Sequence, residues 1–281
     1  MVNHIPLTAT TDPRHGGRWT SLRGGAREWL WHRPHGAREP VRPGDAFVDA
    51  GGLEECLPTI RGNPDHGHAW SRPWQRTGGE ESVECPDFVL HRRIRPGPQG
   101  LRAFYRLSAD PGYRFLWAAH ALLDVTPDAR LTAPAATATR VFPEAAHLID
   151  APWPDQSPYL TGHWPTPLGL PLERLGPDDG TAVGAILTGC PDVSVTDGPD
   201  TLRLTLHTAA DVPLSIALWR NLRGYPAAGP YRSIGVEPML GSVFDLAEAG
   251  DNDAATVPAS GELRWELDIS ATRTPPPGRP Q

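Results

Sequence analysis

Short runs of alternating apolar and polar residues, broken every few positions by glycine or proline, occupy most of this chain. A period of two is what a strand needs to turn one face to a core and the other to water. Arg18-Trp19-Thr20-Ser21-Leu22-Arg23 alternates, Gly24-Gly25 follows, and Glu28-Trp29-Leu30-Trp31-His32 resumes, which predicts a hairpin. Alternation returns at 88–94 and, across a Pro/Gly turn, at 101–107. Further strands are predicted at 181–187, 193–196, 202–208 and 214–219, and the last, 262–269, alternates cleanly. The segment 113–125 is apolar on both faces, as a central strand covered on both sides requires. Residues 244–249 predict a short helix. Residues 1–16 read as a loose lead-in, 61–80 as an ordered functional loop, 143–179 as a long crossing loop and 272–281 as a proline-rich tail.

About a dozen strands with no strand–helix–strand rhythm, no internal repeat and no dividing linker predict an all-β fold. The expectation is one domain over 1–281, a large antiparallel two-sheet β-sandwich with few short helices. A chain of 281 residues can bury one large core, and 29 glycines with 33 prolines suit strands joined by turns. No segment approaches the roughly eighteen apolar residues of a membrane span, so no membrane partner is expected. Met1 to Pro13 lacks a basic start followed by an apolar run, and Cys56, Cys85 and Cys190 show no paired spacing. Both features point to a cytoplasmic protein. A net charge of −7, with no basic cluster beyond His91-Arg92-Arg93, argues against a nucleic-acid partner. All 26 cationic residues are arginine, which excludes a Schiff-base or phosphate-loop lysine. There is no Gly-x-Gly-x-x-Gly after a strand, no His-Glu-x-x-His and no Gly-x-Ser-x-Gly. Neither a nucleotide cofactor nor serine hydrolysis is expected.

Three stretches put a polar residue in an unusual setting. Ser233 to Gly241 sets Glu237 in an apolar run and follows it at once with Pro238, which cannot donate to a ladder and so predicts a strand end there. Phe115 to Leu123 buries His120 among apolar residues, and Asp65-His66-Gly67-His68-Ala69-Trp70 sets a histidine in a glycine turn. The expectation is that Glu237, His120 and His66 meet in one pocket. Plainer roles stand beside it: a carboxylate paired with an arginine, a satisfied core histidine, a histidine holding a turn. Asp65, His66 and His68, with Glu84 or Cys85, lack the tight spacing of a zinc motif, and no metal is expected.

With these stretches in order, the chain resembles the aldose 1-epimerase (galactose mutarotase-like) superfamily. The likeness is carried by Asp65-His66-Gly67 with Trp70 and Arg72-Pro73-Trp74, by Phe115 to Leu123, by Leu218-Trp219-Arg220-Asn221 with Gly224-Tyr225-Pro226, and by Gly235-Val236-Glu237-Pro238 with Gly241. It implies a two-sheet supersandwich that interconverts the anomers of a free aldose without a cofactor. It further implies Glu237 as base, His120 as acid at the ring oxygen, and His66 as a second donor. Trp219, Trp70 or Trp74 would stack on the sugar, Arg61 or Arg72 would assist binding, and Asn221 would join them. The family's sugar-binding Asp has Asp178 and Asp179 as counterparts, of which Asp179 is taken forward. A small sugar is the expected partner, and the protein is expected to be a monomer or homodimer. Two other readings share the scaffold: a non-catalytic carbohydrate-binding protein, and a related sugar epimerase or isomerase.

Overall fold

The computed structural model describes residues 3–97 and 99–275 and gathers the alternating runs into two large antiparallel sheets of nine and ten strands. In the nine-stranded sheet, Glu262–Arg273 lies between Asp200–His207 and Gly100–Ala109. Leu263, Trp265, Leu267, Ile269 and Ala271 point inward along it, following the two-residue period of the sequence. Five strands of the ten-stranded sheet carry the functional argument. In spatial order they are the Gly184 strand (Thr181–Thr188), the Trp219 strand (Leu214–Leu222), the Glu237 strand (Arg232–Leu240), the His120 strand (Trp117–Ala121) and the Glu54 strand (Leu53–Cys56).

The sheets share an apolar core. Trp117, Val183, Leu218 and Val236 enter it from one sheet, and Leu90, Tyr105, Leu204 and Trp265 belong to the other. Burying each such side chain contributes roughly 1.5–3 kcal/mol, so the core decides which alternate residues face away from it. Those residues on the ten-stranded sheet, with loop side chains, form a second apolar cluster that includes Ala118, Ile186, Ala217, Met239, Phe142 and Phe244. Glu237 and His120 lie on this second face.

Several expectations are corrected in detail. The lead-in contains strands Asn3–Ile5 and Leu7–Asp12, because Ile5, Leu7 and Ala9 pack on the core. Residues 143–179 hold two 3-10 turns, Pro143–Leu148 and Pro167–Gly169, and an edge strand, Leu160–His163. The helix expected at 244–249 is a single 3-10 turn, Leu246–Glu248. Thr272 and Arg273 extend the last strand by pairing with Thr201 and Asp200, and 276–281 lie outside the described residues. Among the described residues no helix is long and apolar enough to cross a membrane.

Candidate functional site

Glu237 sits inside its strand, not at the end. Pairing with the Trp219 strand runs on through Ile216↔Pro238 to Leu214↔Leu240, contrary to the stop expected at Pro238. The proline is tolerated because of what happens on the other edge. The His120 strand pairs at Trp117↔Leu240 and Ala118↔Met239, and the ladder resumes only at Leu122↔Gly235. Ile234 turns its carbonyl toward this neighbour, accepting from the Leu123 N–H at 2.8 Å. By alternation Pro238 turns its missing N–H the same way, so the gap falls where no donor exists. Continuing the register across the gap sets His120 directly opposite Glu237. Opposed residues leave the sheet on the same face. Gly235 keeps that face clear, since a Cβ there would come within 2.4 Å of Glu237 Oε1.

His120 Nε2 lies 3.7 Å from Glu237 Oε1, beyond hydrogen-bond reach and close enough for strong charge coupling. Glu237 is 2% exposed, and its Oε2 has no hydrogen-bond donor. Burial pushes its carboxyl up from 4.5, against the opposing pull of His120 and Arg61. Burial pushes the His120 imidazole down from 6.5, against the raising influence of Glu237. The two proton affinities therefore move toward each other, as a pair that trades acid and base roles requires. A buried acceptor without a donor costs about 1–3 kcal/mol.

The pair lines a cavity of about 870 Å³, within the range of small-molecule sites. His66 lines it too, its backbone in the left-handed region at φ 60° and followed by Gly67 at φ 75°. A Cβ on Gly67 would lie 2.1 Å from the Leu57 carbonyl oxygen, so the turn closes this tightly only with glycine. The His66 ring stacks on Phe47 at 3.5 Å between centroids and meets His120 edge-on at 5.1 Å. Its Nδ1 faces Asp65 Oδ1 at 3.0 Å. Arg61 is ion-paired with Glu144, its guanidinium 4.2 Å from the Phe244 ring centroid and 5.9 Å from that of Trp219. Tyr231 donates to Asp49 Oδ2 at 2.5 Å, joining two lining segments 182 positions apart.

Of the residues expected at the site, Glu237, His120, His66, Arg61 and Trp219 line this cavity, and the other five do not. Trp70 is buried behind Phe47, at 4.9 Å between ring centroids. Trp74 belongs to the core, donating from Nε1 to the Ala69 carbonyl at 3.1 Å beneath the Arg92 guanidinium. Arg72 acts electrostatically on His68 and Cys85, neither of which lines the cavity. Asp179 is exposed and folds back to accept from the Thr181 N–H and hydroxyl. Asn221 is buried, bonded to the backbone of Gly224, Tyr225 and Tyr231. On the Gly184 strand the positions facing away from the core are Ala182, Gly184 and Ile186, so no carboxylate enters from there. Among the described residues no three His, Cys, Asp or Glu side chains cluster at metal-binding distance.

Sequence reasoning missed Phe47, Asp49, Glu144 and Tyr231, all of which line the cavity. Phe47 left a trace, a large aromatic in a polar loop. Glu144 and Asp49 left none, because only their distant partners distinguish them from surface carboxylates.

No protein-family model and no curated protein matches the sequence. Solved structures do match over nearly the whole chain. A protein from Synechocystis sp. PCC 6803 is 15% identical with a TM-score of 0.68, covering 98% of this chain and 96% of that one. A candidate aldose 1-epimerase from Escherichia coli K12 is 13% identical at a TM-score of 0.63, covering 97% and 98%. A galactose mutarotase-like protein from Lactobacillus casei ATCC 334 is 17% identical at a TM-score of 0.60, covering 96% and 100%. At these identities the likeness is one of fold.

Proposed function

We propose that this chain, which carries the galactose mutarotase-like fold, interconverts the α and β anomers of a free aldose by acid–base ring opening. One observation supports the reading above others: a carboxylate and an imidazole 3.7 Å apart in a cavity that would hold a sugar. The reaction asks for two such groups side by side, because the hydroxyl that loses a proton and the ring oxygen that gains one are bonded to the same carbon. Glu237 takes the proton of the anomeric hydroxyl, and the electron pair left on that oxygen forms the carbonyl. The bond from C1 to the ring oxygen breaks, and that oxygen keeps the bonding electrons and takes a proton from His120. The open-chain aldehyde turns about C1–C2, and the reverse transfers close the other anomer. The pair begins and ends with one proton, so the cycle needs no outside acid or base. His66 is the second donor to the ring oxygen or a neighbouring hydroxyl, and the Trp219 ring is a flat apolar wall for the sugar's C–H face.

Exchange NMR on equilibrated free aldoses tests this directly. Adding the protein should produce cross-peaks between α and β anomeric protons. Their absence for every aldose tried, with the protein folded, would overturn the reading.

A further inference from the structure

We infer that the Arg61–Glu144 ion pair is a clamp for two adjacent uncharged hydroxyls of the sugar, with Glu144 as its specificity-determining acceptor. The inference rests on the sugar reading above and extends it to the chemical character of one end of the substrate.

Glu144 is the second residue of the Pro143–Leu148 turn, whose position is fixed by its neighbour. The Phe142 N–H donates to the Gly184 carbonyl at 3.0 Å, and the Phe142 ring packs 4.4 Å from that of Phe244. Gly184 leaves the space the clamp occupies. A Cβ there would come within 2.8 Å of Arg61 Nη2 and 3.0 Å of Glu144 Oε1. An interior strand glycine of this kind marks a close approach by other groups.

Glu144 engages Arg61 through Oε1, while Oε2 is buried and has no donor. Among the described residues Arg61 has no second carboxylate partner within 4 Å. A guanidinium carries five N–H donors and a carboxylate about four acceptor sites, so the pair retains both donor and acceptor capacity at one place on the cavity wall. Two neighbouring hydroxyls complement it, one accepting from Arg61 and the other donating to the Glu144 carboxylate. A phosphate or carboxylate does not, because the arginine charge is already matched and the carboxylate beside it is itself anionic. Arg61 also acts on Glu237, so the clamp stands near the reacting end of the cavity.

The test measures KM and kcat for wild type, Glu144→Gln and Glu144→Ala on D-galactose, D-glucose and their 2-, 3- and 4-deoxy analogues. With an intact sugar, KM should rise about 10-fold or more in the variants while kcat changes less than about 3-fold. One deoxy analogue should show a comparable KM loss in wild type and no further loss in the variants, the signature of a shared contact. Equal variant losses on every analogue, or a fall in kcat alone, would overturn the clamp. Calorimetric Kd values on the same series separate the two readings. If wild type binds sugars without turnover, ring opening falls and the clamp is judged by the same coupling in Kd. If it binds no free aldose, both fall. Should Glu144→Gln fail to fold, Glu144→Asp, which keeps the charge and shortens the reach, carries the coupling test.

Discussion

A carboxyl raised by burial and an imidazole lowered by it, 3.7 Å apart, titrate as one unit. The lowered imidazole favours its neutral form, so its contribution to stability is complete above 6.5 and lost as pH falls below that value. The raised carboxyl runs the other way: its contribution is complete below 4.5 and lost as pH rises through its folded value. Ring opening uses the state with one proton on the pair, so kcat/KM should be bell-shaped, the acid limb drawn upward from 4.5 and the alkaline limb drawn downward from 6.5. NMR titration of His120 should give a midpoint below 6.5, and a lower one in Glu237→Gln, where the raising carboxylate is gone. A midpoint above 6.5, or an upward move in the variant, contradicts this account. These two residues were readable in the sequence because each interrupts an apolar run. Trp70, Trp74 and Trp219 were not separable, since which tryptophan meets the core depends on packing between distant segments.

One side chain holds the loop that follows the Trp219 strand. Asn221 Nδ2 donates to the Tyr225 and Tyr231 carbonyls at 2.8 and 3.0 Å, and Oδ1 accepts from the Gly224 and Tyr225 N–H groups, both at 3.0 Å. Asn221 thus sets the placement of two lining residues without touching the cavity. Asn221→Ala leaves those groups unpartnered and should lower unfolding free energy by about 1–3 kcal/mol in urea, with KM raised and kcat nearly unchanged. Unchanged stability and KM would remove Asn221 from this role. Strands were readable where large apolar residues alternate, as at 262–269. They were missed at Leu7–Asp12, where threonines and an alanine give little contrast. The rule that proline ends a strand failed at Pro238 because local sequence does not say on which edge pairing is open.

Across the whole molecule, a buried charge network ties the two sheets together. Arg92 donates to Glu55 at 2.6 Å and to Glu81 at 2.5 Å, and Tyr105 and Trp117 also donate to Glu55. Arg92→Met would leave buried Glu55 without its cationic partner and remove one of the two arginines on Glu81, and should destabilise the fold by about 3–5 kcal/mol in chemical denaturation. A loss under about 1 kcal/mol would show that the network contributes little. His91-Arg92-Arg93 is a basic cluster in the sequence, yet Arg92 stands two residues after Leu90, shares its inward phase and is buried. Fold class was legible because sandwich strands are local patterns. The cavity was legible in Glu237, His120, His66, Arg61 and Trp219, while Phe47, Asp49, Glu144 and Tyr231 were not, because contacts that span the chain bring them there.

The central claim is proton exchange between Glu237, His120 and a sugar, and polarimetry on freshly dissolved α-glucose and α-galactose tests it most directly. Wild type should speed the decay of optical rotation, and Glu237→Gln should slow that catalysed decay by at least ~100-fold. A folded wild-type protein that leaves the decay at its spontaneous rate, or a Glu237→Gln variant as fast as wild type, would contradict it.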